Sequence, residues 1–124
     1  MDTDKSKTND EQSTSYAVLL GSYLARLRKQ RGFDQIEFAK RVNMSQPSLS
    51  KIENGQTVLN IVQLRTIARV LNIESSNIIG KVETIIKDIQ KRGIRVKDHK
   101  PDQNMNFFLG AGAVAGIIAL FMGE

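Results

Sequence analysis

The chain has 124 residues, enough for one small domain with extensions. It contains no cysteine and a single histidine, so neither a disulfide framework nor a thiolate metal site is available. Its net charge of +5 is uneven: residues 16–80 carry nine basic against four acidic residues, and residues 81–100 carry seven against three. A compact basic region of this kind is the electrostatic footprint of a polyanion binder.

After Met1, residues 2–15 are Asp, Glu, Lys, Ser, Thr, Asn and Gln, with no apolar residue. Such a segment has nothing to bury and is expected to be a disordered arm. It also lacks the basic start and apolar core of a secretory signal. From Ala17 to Arg31 the pattern turns helical, with Val18, Leu20, Leu24 and Leu27 on one face. Gly32 ends this helix.

Asp34 and Glu37 have capping-box spacing at the start of a second helix, in which Ile36, Phe38, Ala39 and Val42 form an apolar stripe. Asn43 suits a tight turn, because asparagine tolerates left-handed backbone. Ser45 caps a third helix and Pro47 fits its first turn, where the amide has no intrahelical partner. Leu49 and Ile52 point inward, and Asn54-Gly55 stops the helix. Its outer side shows Gln46, Pro47, Ser48, Ser50 and Lys51, with no acid before Glu53. Gln and Lys are able to hydrogen-bond base edges in a major groove.

Gln56 to Leu59 is a loop. Asn60 and Gln63 repeat the capping-box spacing, and Val62, Leu64, Ile67, Ala68 and Leu71 make the next stripe, closed by Asn72. Ser75 or Ser76 caps a fifth helix over roughly 76–91, weakened at Gly80 because glycine costs about 1 kcal/mol there relative to alanine. Val82, Ile85, Ile86 and Ile89 give this extension an apolar face suited equally to capping the domain and to pairing with a second copy.

Residues 93–104 read as a basic polar linker, in which His99 is a solvated loop residue. Residues 105–123 then contain no charge and only Asn106 as a polar side chain. As a helix this run reaches about 28 Å, so it reads as a transmembrane helix at the C-terminus. Lys91, Arg92, Arg95, Lys97 and Lys100 precede it in the positive-inside arrangement, and Gly112 and Gly116 have the spacing that lets membrane helices approach closely. A soluble oligomerisation segment is the competing reading.

Residues 17–79 resemble the XRE family of helix-turn-helix domains, the lambda-repressor-like or Cro/repressor type. The residues carrying the resemblance are 24–32 (LARLRKQRG), 34–39 (DQIEFA), 45–55 (SQPSLSKIENG) and 64–73 (LRTIARVLNI). The resemblance implies a five-helix domain over 16–80; with the extended last helix over 81–92 and the separate C-terminal apolar helix read from the pattern, the chain is expected to be all-α. It implies that the third helix enters the major groove of double-stranded DNA, usually as a homodimer on two half-sites. Base readers would then be Gln46, Pro47, Ser48 and Lys51, with Ser50 beside them. Phosphate contacts would come from Gln35, Lys40, Arg41, Asn54 and Gln56, which position the protein without reading sequence. Glu53 is expected in an ion pair within the fold, with Arg28 as partner. Pro47 and Asn43 depart from the family pattern, the former making readout there apolar.

No metal-ligand cluster, phosphate loop or acid/base pair is present in the sequence, so no catalytic, cofactor or metal residue is assigned and an enzyme is not expected. Ser48-x-x-Lys51 matches a nucleophile pattern of penicillin-binding enzymes, but the chain is too short for that fold. The expected function is sequence-specific transcriptional regulation, by a repressor whose DNA-binding part is cytoplasmic and tethered to the inner membrane. The alternative is a membrane-tethered adaptor or scaffold that binds a protein instead of DNA.

Overall fold

The computed structural model describes residues 12–98 and 107–122. Nine elements follow one another: β1 (Gln12–Ser15), α1 (Tyr16–Gln30), α2 (Gln35–Arg41), α3 (Gln46–Glu53), α4 (Ile61–Leu71), α5 (Ser75–Lys91), β2 (Arg95–Lys97), β3 (Phe107–Phe108) and α6 (Ala111–Phe121). The five expected helices are α1 to α5. One apolar core runs through all six helices, from Val18, Leu19 and Leu24 through Phe38, Leu49, Ile67 and Ile78 to Val114 and Ile118.

Local chemistry accounts for the helix ends. The Ser15, Asp34, Ser45 and Asn60 side chains each accept a first-turn amide, satisfying donors that have no intrahelical partner. Asn60 and Gln63 form the full reciprocal box. At Asp34 only one half of the expected box is present, because the Glu37 carboxylate instead accepts from Arg41 at 2.9 Å. Asn43 and Asn72 adopt left-handed backbone at φ 61° and 59°. The Asn72 conformation closes α4, as the sequence implies.

α1 crosses α3 at Gly21. A Cβ there would collide with the Ile52 carbonyl oxygen, so the absence of a side chain sets how near the two helices lie. Gly55, at φ 75°, sits just as closely against Val18.

Several expectations are corrected. Ile36 and Val62 are not core residues: they are 61% and 72% exposed, because the short α2 and the first turn of α4 turn these positions outward. The α5 helix is capped by neither Ser75 nor Ser76. Its N-cap is Glu74, with no side-chain capping bond, and the helix runs unbroken through Gly80. Its apolar face is used inside the chain, since Ile78, Val82, Ile85 and Ile89 are all fully buried.

The largest departures concern the chain ends. The segment read as a disordered arm contributes β1, the central strand of a three-stranded parallel sheet ordered β2-β1-β3. Ser13 pairs with Arg95 on one side and Phe108 on the other. Ser13, Thr14 and Ser15 are buried despite being polar, because their backbone groups are satisfied by strands more than 80 residues away. The Thr14 hydroxyl also donates to the Leu109 carbonyl at 2.8 Å. Part of the linker, 95–97, is therefore strand, and the fold is not purely helical. Residues 1–11 and 99–106, including His99, lie outside the described residues.

The apolar run does not form a helix of membrane length. α6 has 11 residues, roughly 16 Å against a hydrocarbon core of about 30 Å. Among the described residues no helix is long and apolar enough to cross a membrane. α6 lies against α1, with Val114 and Ile118 in the common core, and Phe121 is covered by the Arg92 guanidinium 4.9 Å from its ring centre. Val114 and Ile118 complete the core, while Ala113, Ala115 and Leu120 on the outer side of α6 remain exposed.

Candidate nucleic-acid interface

The turn between α2 and α3 is built from backbone alone. Val42 caps α2, Asn43 reverses the chain, and the Met44 amide donates to the Ala39 carbonyl at 2.9 Å. Phe38, Ala39, Val42, Leu49 and Ile52 hold the two helices to the core. With those five positions inward, α3 has one direction left in which to display its polar residues.

Gln46, Pro47, Ser48 and Lys51 are exposed on that side, and Ser50 is half-buried at its edge. The Ser45 hydroxyl donates to Ser48 Oγ at 2.9 Å, and Asn54 Nδ2 donates to Ser50 Oγ at 3.4 Å. The one carboxylate of α3 is turned away from this face. Glu53 is buried and accepts from Arg28 Nε at 2.7 Å and Arg28 Nη2 at 3.0 Å. This two-point pairing matches a planar guanidinium to a carboxylate. Arg28 Nη1 also donates to the Phe33 carbonyl at 2.7 Å, tying α1, α3 and the α1–α2 loop together.

The ion pair extends to the surface through two amides. Gln35 Nε2 donates to Glu53 Oε1 at 2.9 Å, and Gln46 Nε2 donates to Gln35 Oε1 at 2.6 Å. A carboxylate only accepts, so Glu53 dictates which end of the Gln35 amide faces it. That leaves the Gln35 oxygen to accept from Gln46. Gln46 then retains its carbonyl oxygen and a second N–H, the pair an adenine edge requires. The sequence placed Gln35 and Gln46 in separate roles. Their coupling depends on an α2–α3 distance that spacing alone does not report.

Of the residues expected at phosphates, Lys40, Asn54 and Gln56 are exposed and Gln35 is half-buried. Arg41 is exposed but already engaged by Glu37, and its guanidinium lies 5.1 Å from the Phe33 ring centre. Phe33 was not singled out in the sequence. It stacks against Phe38 at 5.4 Å between ring centres and so orients Arg41 from below. Gln35 is at the start of α2, and Asn54 and Gln56 lie past the end of α3, beyond its exposed polar side. Among the described residues no three His, Cys, Asp or Glu side chains gather where they could hold a metal ion.

Comparison with known proteins agrees with this geometry. The helix-turn-helix family model matches residues 24–77. An immunity repressor protein of Bacillus phage phi105 is 32% identical over 73 residues, covering 59% of this chain and 50% of that protein. The chain thus spans about half the length of that relative. Two crystal structures of the clp gene regulator ClgR from Corynebacterium glutamicum share the fold. One superposes with a TM-score of 0.56 at 19% identity, covering 62% of this chain and 84% of that one. The other gives 0.52 at 20%, covering 56% and 90%.

Proposed function

We propose, from the helix-turn-helix family match over residues 24–77 and the likeness to a phage repressor, that this XRE-type domain makes the protein a sequence-specific DNA-binding transcriptional regulator that represses by occupying its operator. The observation carrying this reading is the acid-free outer face of α3, with Glu53 withdrawn into the Arg28 pair. Gln46 reads adenine, Lys51 donates to guanine and Pro47 meets a thymine methyl. Ser48 and Ser50 supply further hydroxyls along the same groove. Gln35, Lys40, Arg41, Asn54 and Gln56 hold the phosphates on either side.

One α3 helix reads one half-site, so the protein acts as a homodimer in this reading. The apolar face of α5 is occupied within the chain and is not available for that pairing. Val58, Ile61 and Val62 are exposed where α3 leads into α4, and they are the apolar surface we assign to it. The anchor expected from the apolar run is left out of the reading, because the helix formed there contributes to the domain core.

The test is selection of a binding site with the full chain, followed by Gln46→Ala and Lys51→Ala. Each is expected to cost about 1–3 kcal/mol on the selected site and to relax the preference at one base position. Failure to enrich any site, or equal losses on selected and random DNA, would favour a protein-binding adaptor instead.

A further inference from the structure

A cleft of about 570 Å³ is lined by residues of α1, α3 and α6. Gln35 and Asn54, two of the residues assigned to phosphates, belong to its lining, as do Ala111 and Gly112 in the first turn of α6. Arg26, Arg28 and Lys29 supply a cationic wall. The one carboxylate in the lining, Glu53, already accepts from Arg28 and Gln35.

Three features of this cleft are unexplained by packing. The first helical bond of α6 runs from the Val114 amide to the Gly110 carbonyl, so the amides of residues 111–113 have no intrahelical acceptor. The N-cap is Gly110, which has no side chain to satisfy them. Ser22, 5% exposed, belongs to the lining, and its buried hydroxyl has no hydrogen-bond partner among the described residues. Lys29, exposed at the end of α1, has no ion pair among them either. Unsatisfied amides, a buried unpartnered hydroxyl and a free ammonium group together make a site for a tetrahedral oxyanion.

We propose that this cleft binds a backbone phosphate of the DNA, adjacent to those held by Gln35 and Asn54. This assignment rests on the DNA-binding reading above. The C-terminal helix thereby becomes part of the nucleic-acid interface. Lys29 supplies the charge, the first turn of α6 supplies amide donors, and Ser22 supplies a hydroxyl.

Two variants of the full chain test it. Lys29→Gln removes the charge. Gly112→Asp places a carboxylate where the phosphate would sit, at a position with no heavy atom within 4 Å of an added Cβ. An aspartate in a first turn also favours the helix, so folding should survive. Lys87→Gln, an exposed change on α5, is the control with equal loss of charge. Binding to the selected site is measured against salt concentration. Lys29→Gln should reduce the slope of log K against log [salt] by about 1, with Lys87→Gln near wild type. Gly112→Asp should weaken binding about tenfold at low salt.

A second arm titrates inorganic phosphate against thermal stability without DNA. Phosphate should raise the midpoint of the wild type but not of the two cleft variants. Stabilisation by phosphate with unchanged DNA binding of both variants would overturn the DNA assignment and give the cleft to a free phosphate. Unchanged behaviour of both variants in both arms would overturn the site altogether. A wild-type chain that binds no DNA would defeat the proposed function, and the phosphate arm would still test the cleft.

Discussion

Replacing Glu53 by alanine tests the reasoning about the site and the fold at once. The Arg28–Glu53 pair has side chains only 7% and 6% exposed, so removing the carboxylate leaves a guanidinium in the interior with its charge uncompensated. Breaking a buried pair this way costs about 3–5 kcal/mol, whereas an exposed pair contributes about 0–1 kcal/mol. The Arg41–Glu37 pair, 55% and 48% exposed, provides that comparison within the same molecule. At roughly 4 °C per kcal/mol for a domain of this size, Glu53→Ala should lower the melting midpoint by about 12–20 °C. Glu37→Ala should lower it by no more than about 4 °C. Arg28→Met combined with Glu53→Leu should recover most of the loss, since an apolar pair of similar volume avoids the desolvation cost. Urea unfolding of these three variants beside the wild type, fitted with a common slope, gives the change in stability of each. A cost below about 1 kcal/mol for Glu53→Ala would refute the argument, because it would mean that water reaches Arg28 freely. The same variant frees the Gln35 amide to rotate, so, in the proposed reading, preference at the base assigned to Gln46 should weaken even at temperatures where the protein is folded.

Further outcomes follow from particular contacts. Gly21→Ala should destabilise by several kcal/mol, read by thermal melting, because the added methyl meets the Ile52 carbonyl and not a flexible side chain. Gly80→Ala should stabilise by about 0.5–1 kcal/mol, since Gly80 is inside α5 with open space around it. Thr14→Val removes the donor to Leu109 and should raise amide exchange in β3 and α6 more than in α3. Burial, and then the charge of the nearby Glu83 carboxylate and its hydrogen bonding to the hydroxyl, raise the Tyr16 pKa above its ordinary value of 10.0. The folded state therefore holds this proton more tightly than the unfolded chain. The stabilisation is complete below pH 10 and is lost as pH rises through the folded pKa. Tyr16→Phe should flatten this alkaline loss in a melting-point profile. The remaining slope should include Tyr23, whose pKa is raised by burial against the lowering effect of Arg26 and Arg31.

What the sequence determined by itself is the helix-turn-helix. Its elements are specified locally: caps at Asp34, Ser45 and Asn60, a left-handed asparagine at 43, and apolar positions three and four apart. Each of these acts within a few residues, so spacing is sufficient to read them. Arg28 with Glu53 was legible through resemblance to a family, and the structure places the two groups 2.7 Å apart.

The tertiary structure decided the rest. The period that put Ile36 and Val62 inward did not reveal that the short α2 and the first turn of α4 face these positions outward. The polar N-terminal segment became a central strand because its backbone donors and acceptors meet β2 and β3, which are far away in sequence. Hydrophobicity carries no record of such pairing. The charge-free tail has the composition of a membrane span, since lipid and a protein core both exclude charge. Which of the two it meets depends on what lies beside it, and here that is the flank of α1.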